Sequence, residues 1–228
     1  MSERNSLADS GFTRREICIG GGLLLGGGLL LASCASRPTV QGIHQAGRDL
    51  RLNGIAVGQG EPLEETSLLE TGEEEAVLVV GGDALLMRAN AKVALQLSPL
   101  APKRNLLGVE VHRGGLLSVF APGARQLKTP HAQIALRGTG IYLEARTGES
   151  YICVCYGSVT IQGREQPTLQ ERFTTRHHEQ PRTITSGEIA KAPMLNHTDT
   201  ELVMLEALVG RKPPFTPSAA YGWKGRTW

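Results

Sequence analysis

Between residues 76 and 161 the chain is a succession of short apolar runs punctuated by glycine, and no other feature constrains its fold as strongly. In Lys92-Val93-Ala94-Leu95-Gln96-Leu97, the residues Val93, Leu95 and Leu97 fall on alternate positions. In the next such stretch Ala132, Ile134 and Leu136 alternate with His131, Gln133 and Arg137. A period of two puts one set of side chains on the buried face of a strand. The run at 76–80 is apolar throughout and rich in valine, Gly81-Gly82-Asp83 makes a turn, and residues 84–88 form a second run. Further strands are predicted at 108–112 and 116–120, parted by Arg113-Gly114-Gly115, and at 141–143 after Gly138-Thr139-Gly140. A last pair, 150–156 and 159–161, is parted by Gly157-Ser158. Turn signals roughly every 8–12 residues, without interleaved helices, predict an all-β fold, an antiparallel sandwich or β-roll of short hairpins. The spacing of Leu202, Leu205 and Leu208 predicts one short helix near the C-terminus, capped by Asp199 or Thr200 and stopped by Gly210. Pro213, Pro214 and Pro217 mark the tail as extended and poorly packed.

The N-terminal segment reads as an address. Arg4, Arg14 and Arg15 precede an uncharged stretch, residues 17–36, that is weakened as a permanent helix by six glycines. A basic start, a modest apolar centre and small residues at the end fit a cleaved signal. Leu31-Ala32-Ser33-Cys34 resembles a bacterial lipobox, in which the cysteine is acylated and becomes the new N-terminus. Thr13-Arg14-Arg15-Glu16-Ile17 resembles the twin-arginine export signal. Several acyl chains on Cys34, palmitate among them, would hold the protein on a membrane stably. The expected location is therefore the cell envelope, facing the periplasm, and Ala35 after the cysteine points to the outer membrane. The expected order is a signal peptide at 1–33, a lipidated tether at 34–49, a β domain at 50–162, an extension with the helix at 163–210, and a proline- and aromatic-rich tail at 211–228. Within this order, residues 61–75 hold seven glutamates and no lysine or arginine, which predicts a solvated loop.

Composition narrows the function. The chain of 228 residues carries 24 Lys and Arg against 22 Asp and Glu, a formal charge of +2. A nucleic-acid binder needs a concentrated basic face, so nucleic acid is not an expected partner. No nucleophile elbow, zinc-protease helix motif or phosphate-cradling loop is present, and no catalytic residues are assigned.

Thr129-Pro130, then Leu136-Arg137-Gly138-Thr139, then Val154 followed by Gly157-Ser158-Val159, resemble the FecR domain family. Upstream, Thr71-Gly72, the apolar run at 76–80, the turn at Gly81-Gly82-Asp83 and Arg113-Gly114 fall in the same order, so the resemblance spans roughly residues 50–162. It implies an all-β periplasmic domain and, in the iron-dicitrate system, a relay from a siderophore receptor to a sigma factor. Only about sixteen residues precede the apolar stretch here, so a cytoplasmic anti-sigma segment is not expected. The expectation is a non-enzymatic, lipid-anchored module that binds or scaffolds an envelope protein or cell-wall component, or takes part in sensing. Arg137, Gly138 and Thr139 are expected to form a structural turn, with the donors of Arg137 and Thr139 on exposed carbonyls.

One constellation could carry chemistry. In Tyr151-Ile152-Cys153-Val154-Cys155-Tyr156 a strand puts both cysteines on one face, roughly 6.5–7 Å apart along the strand. A disulfide between them would be strained. They are either small buried hydrophobes or two soft ligands. His177 and His178 follow within reach of one hairpin, and Met194 and His197 come later. Thiolates with imidazoles suit zinc or copper, and haem is a further candidate. The metal reading requires Cys153 and Cys155 to meet His177, His178 or His197.

Overall fold

The computed structural model describes residues 39–99 and 104–222. The signal peptide, the twin-arginine pair and Cys34 lie outside the described residues. Among the described residues the elements run β1 (Gly42–Gln45), β2 (Arg51–Leu52), β3 (Ile55–Ala56), β4 (Thr66–Glu70), β5 (Ala76–Val80), β6 (Asp83–Met87) and β7 (Lys92–Leu97). They continue through β8 (Leu106–Val119), β9 (Ala124–Lys128), β10 (Ala132–Ala145), β11 (Ser150–Gly163), β12 (Gln170–Thr175), β13 (Arg182–Ile184), β14 (Ile189–Lys191) and α1 (Asp199–Leu208). Among the described residues the fold is mostly β with a single short C-terminal α-helix, as the sequence predicts.

The three interruptions expected at glycines are not turns. Strands β8, β10 and β11 are each 14 residues long and run straight through them. Each changes partner part-way. The first half of β8 pairs with β7, while Gly114–Val119 pairs with β10. The first half of β10 pairs with β9, and β11 pairs with β13 at one end and β12 at the other. Long strands that switch partners at a bulge let the sheet roll around a core instead of stacking separate hairpins. β8 and β9 pair in parallel, a departure from the purely antiparallel expectation.

The bend in β10 shows how sequence produces this. Its register against β11 slips between Arg137 and Gly140. Gly138 has φ 61°, the left-handed region that glycine enters freely. Two residues on, a Cβ at Gly140 would collide with the Tyr156 ring. The Arg137-Gly138-Thr139 segment is thus a bulge inside a strand. It does not use its donors as expected: Arg137 is exposed without a side-chain hydrogen bond among the described residues, and Thr139 Oγ1 is buried without a partner. The bulge turns Thr139 inward, against the backbone at Gly157.

Residues 61–75 are also more ordered than their charge suggests. β4 lies inside them, pairs with β2 and β7, and buries Ser67 and Leu69 while the glutamates stay outward.

Two apolar clusters explain why β5 and β6 are buried at every position. Ala76, Leu78 and Val80 face the larger cluster inside the roll. Val77 and Val79 face a second one with Ala84, Leu86, Leu117 and Val119, which Leu202 and Leu205 of α1 cover. A strand sandwiched between two apolar layers reads as an unbroken hydrophobic run. The cap of α1 is Thr198, one residue before the expected pair, in a capping box with Glu201. Arg88 on the sheet donates to Glu201 at 2.6 and 2.9 Å, which ties the start of the helix to the roll.

Candidate metal centre

The alternation in β11 sends Ile152 and Val154 into the larger cluster, and Cys153 and Cys155 to the second. Both cysteines are free and fully buried. The chain then passes through β12 and returns beside them. His178 N–H donates to Cys155 O at 3.0 Å, and His178 has φ 55°, a left-handed conformation rare outside glycine. That strained turn aims the His178 ring at the cysteine face. His197 arrives from the loop before α1, its ring stacked on Tyr142 with centroids 4.8 Å apart.

The result is a cluster of Cys153, Cys155, His178 and His197, each offering one ligand atom, all within 4.8 Å of one another. Cys153 Sγ lies 3.5 Å from His178 Nδ1, and His178 Nδ1 lies 3.1 Å from His197 Nε2. Tetrahedral zinc with sulfur at about 2.3 Å and nitrogen at about 2.0 Å sets donor–donor separations of about 3.3–3.8 Å. These two distances fall within a few tenths of an ångström of those values. Four donors converging this tightly suit a single ion and leave no room for the haem macrocycle.

The outer ring nitrogens decide how the inner ones are charged. His197 Nδ1 lies 2.7 Å from Leu195 O, a carbonyl that can only accept, so the proton sits on Nδ1 and Nε2 is bare. His178 Nε2 lies 3.1 Å from Asp199 Oδ1, so by the same reasoning its Nδ1 is bare. These tautomers are assigned from the hydrogen-bond partners. In these tautomers the two inner nitrogens present lone pairs 3.1 Å apart, as two ligands of one ion would. The carboxylate–histidine pairing on the outer side is the arrangement that orients metal-bound imidazoles.

The thiols are prepared in the same way. Burial pushes Cys153 up, but its side-chain contacts with Cys155, His178 and His197 outweigh that and hold the group well below an ordinary thiol. Cys155 goes the other way, raised by burial and by its neighbour Cys153.

Of the residues predicted from sequence, Cys153, Cys155 and His178 meet, and His197 completes the four. His177 points elsewhere: its Nε2 lies 2.9 and 3.0 Å from the two oxygens of Asp199. Asp199, fully buried at the first turn of α1, also accepts from Ser218 N at 2.7 Å. Sequence reasoning missed Asp199 as more than a helix cap. Its place between a histidine pair and a helix start was the available signal. The tail is more closely packed than predicted, since Phe215 stacks on His177 with centroids 4.1 Å apart.

No known protein-family profile matches the chain, and no curated protein matches it. Among solved structures, two crystal structures of a candidate anti-sigma factor from Parabacteroides distasonis ATCC 8503 are similar to it, at 13% identity each. One, at 2.50 Å, has a TM-score of 0.46 and covers 61% of this chain and 72% of that chain. The other, at 1.65 Å, has a TM-score of 0.43 and covers 60% and 71%.

Proposed function

We propose that the chain is a non-enzymatic envelope protein whose β-roll holds one d10 transition-metal ion, zinc(II) or copper(I), between Cys153, Cys155, His178 and His197. The observation that carries this reading is the convergence of two imidazole nitrogens, 3.1 Å apart, with two thiols, all four donors within 4.8 Å of one another. Four protein donors complete a tetrahedron and leave no open position for a substrate, the pattern of a structural ion site. The line Cys153–His178–Asp199 has the order of a nucleophile, a base and its orienting carboxylate, but Cys153 and Asp199 are 0% exposed. That burial, with four donors around one point, favours an ion site over a thiol hydrolase. Soft sulfur with imidazole favours zinc or copper(I) over magnesium or calcium, which prefer oxygen.

Metal analysis of the purified chain tests this directly. One equivalent of zinc or copper is expected, and cobalt(II) substitution should give intense sulfur-to-cobalt charge-transfer bands. Both signals should vanish in Cys153→Ser/Cys155→Ser. Near-zero metal in both proteins after zinc or copper(I) loading would refute the site. Two equivalents per chain would mean that Asp199 and His177 bind an ion themselves, not merely orient His178.

The anchoring is proposed on the lipobox-like Leu31-Ala32-Ser33-Cys34. Cys34→Ala should block signal removal and shift the protein out of the detergent phase on partitioning. Unchanged processing and partitioning would remove the lipid anchor from the reading. The FecR-like order of motifs supports a partner in the envelope, and a metal-stabilised roll on a membrane tether would present its surface to such a component.

A further inference from the structure

Buried donors need a way for the ion to come and go. The cysteines and Asp199 are 0% exposed, His178 is 3% and His197 is 6% exposed. On one side of them lies the sheet, whose ladder of backbone hydrogen bonds opens only with much of the fold. On the other lie α1, the loop that carries His197, and the chain after α1. Resting on the reading of the cluster as a metal site, we propose that residues 215–222 form a strap that closes the site and is itself locked by the bound ion.

The strap touches the cluster through few, specific contacts. Ser218 N donates to Asp199 Oδ2, while Asp199 Oδ1 accepts from His178. One carboxylate thus joins the strap to a ligand ring. Phe215 stacks on His177 at an interplanar angle of 19°, and Tyr221 meets His177 edge-on at 4.5 Å and His178 at 5.0 Å. Gly222 O accepts from Thr200 Oγ1 at 3.3 Å. His177 keeps 18% of its side chain exposed beneath these rings, and Thr216, Ala219, Ala220 and Gly222 of the strap are exposed. Two main-chain hydrogen bonds and a few ring contacts make the strap far easier to open than a 14-residue strand pair.

The lock follows from linkage. An ion on His178 Nδ1 fixes the ring and strengthens its Nε2–H donation to Asp199. A fixed Asp199 presents its other oxygen to Ser218. Whatever the ion adds to strap docking, docking returns to ion binding by the same factor. Partners of ligand histidines typically contribute about 10–100-fold to metal affinity. The strap, acting through Asp199, is expected at the lower end of that range.

The experiment uses the full-length protein loaded with zinc. Phe215→Ala/Tyr221→Ala removes the ring contacts and leaves all four ligands and Asp199 in place. Zinc release to a chromogenic chelator is expected to be about tenfold faster than from the unaltered chain. Hydrogen exchange on the unaltered chain gives a second readout that needs no variant to fold. Amides of residues 215–222 should be protected in the zinc form and exposed in the apo form, while those of β10 and β11 change little. One zinc per chain, with equal release rates and equal strap protection with and without zinc, would overturn the strap and leave the site standing. No bound zinc in either protein would overturn both.

Discussion

Zinc at a free concentration one hundred times its dissociation constant is expected to stabilise the folded chain by about 2.7 kcal/mol. For a domain of this size that corresponds to a rise in Tm of about 5–11 °C. The unfolded chain cannot bring Cys153, Cys155, His178 and His197 within 4.8 Å, so binding free energy becomes folding free energy. The comparison must be the zinc-dependent increment within each protein, because serine at a buried cysteine alters the apo baseline as well. In Cys153→Ser/Cys155→Ser the increment should be absent. Acid should also erase it, since protons compete with the ion for both imidazoles and for the thiolates. A thermal melt with zinc, with chelator, and at falling pH measures all three. An unaltered chain whose Tm ignores zinc at neutral pH would remove the ion from the fold.

Much of this site was legible in the sequence, for one geometric reason. Strand alternation alone puts Cys153 and Cys155 on a single face, and no later packing can separate them without breaking β11. The choice within His177-His178 was not legible. It depends on the left-handed backbone at His178, which turns one ring to the sulfurs and the other to Asp199. Histidine tolerates that conformation but His177 would do so equally, and it is the hydrogen bond from His178 N to Cys155 O that places it at His178. The glycines misled for a related reason. Gly114, Gly138 and Gly157 all have positive φ, which in sequence reads as a turn. Inside long pairing partners the same dihedral makes a bulge, and the strand continues. Local composition identifies where the backbone bends, but only the non-local partner decides whether the chain reverses there. The tail was misjudged because its prolines suggested exposure, whereas Phe215 finds aromatic and apolar surface that the rest of the chain provides.

The helix α1 carries the second large effect. Leu205 is 0% exposed and lies in the cluster that contains Val77, Val79, Cys153 and Cys155. Leu205→Ala removes buried methyl groups and leaves a cavity between helix and sheet, which typically costs about 2–5 kcal/mol. Denaturant unfolding should show that loss with an unchanged m-value, while Leu107→Ala, at a position 48% exposed, should stay within about 0.5 kcal/mol of the parent. The substitution also reaches the metal centre without touching a ligand. Asp199 opens the helix, so a helix that sits less firmly on the sheet holds the carboxylate less firmly against His178. Zinc affinity is therefore expected to fall along with stability, and zinc should recover part of the lost Tm. Leu205→Ala with full stability would mean that α1 does not cover the second cluster. Lost stability with undiminished zinc affinity would instead show that the sheet and the histidine loops hold the four donors without the helix.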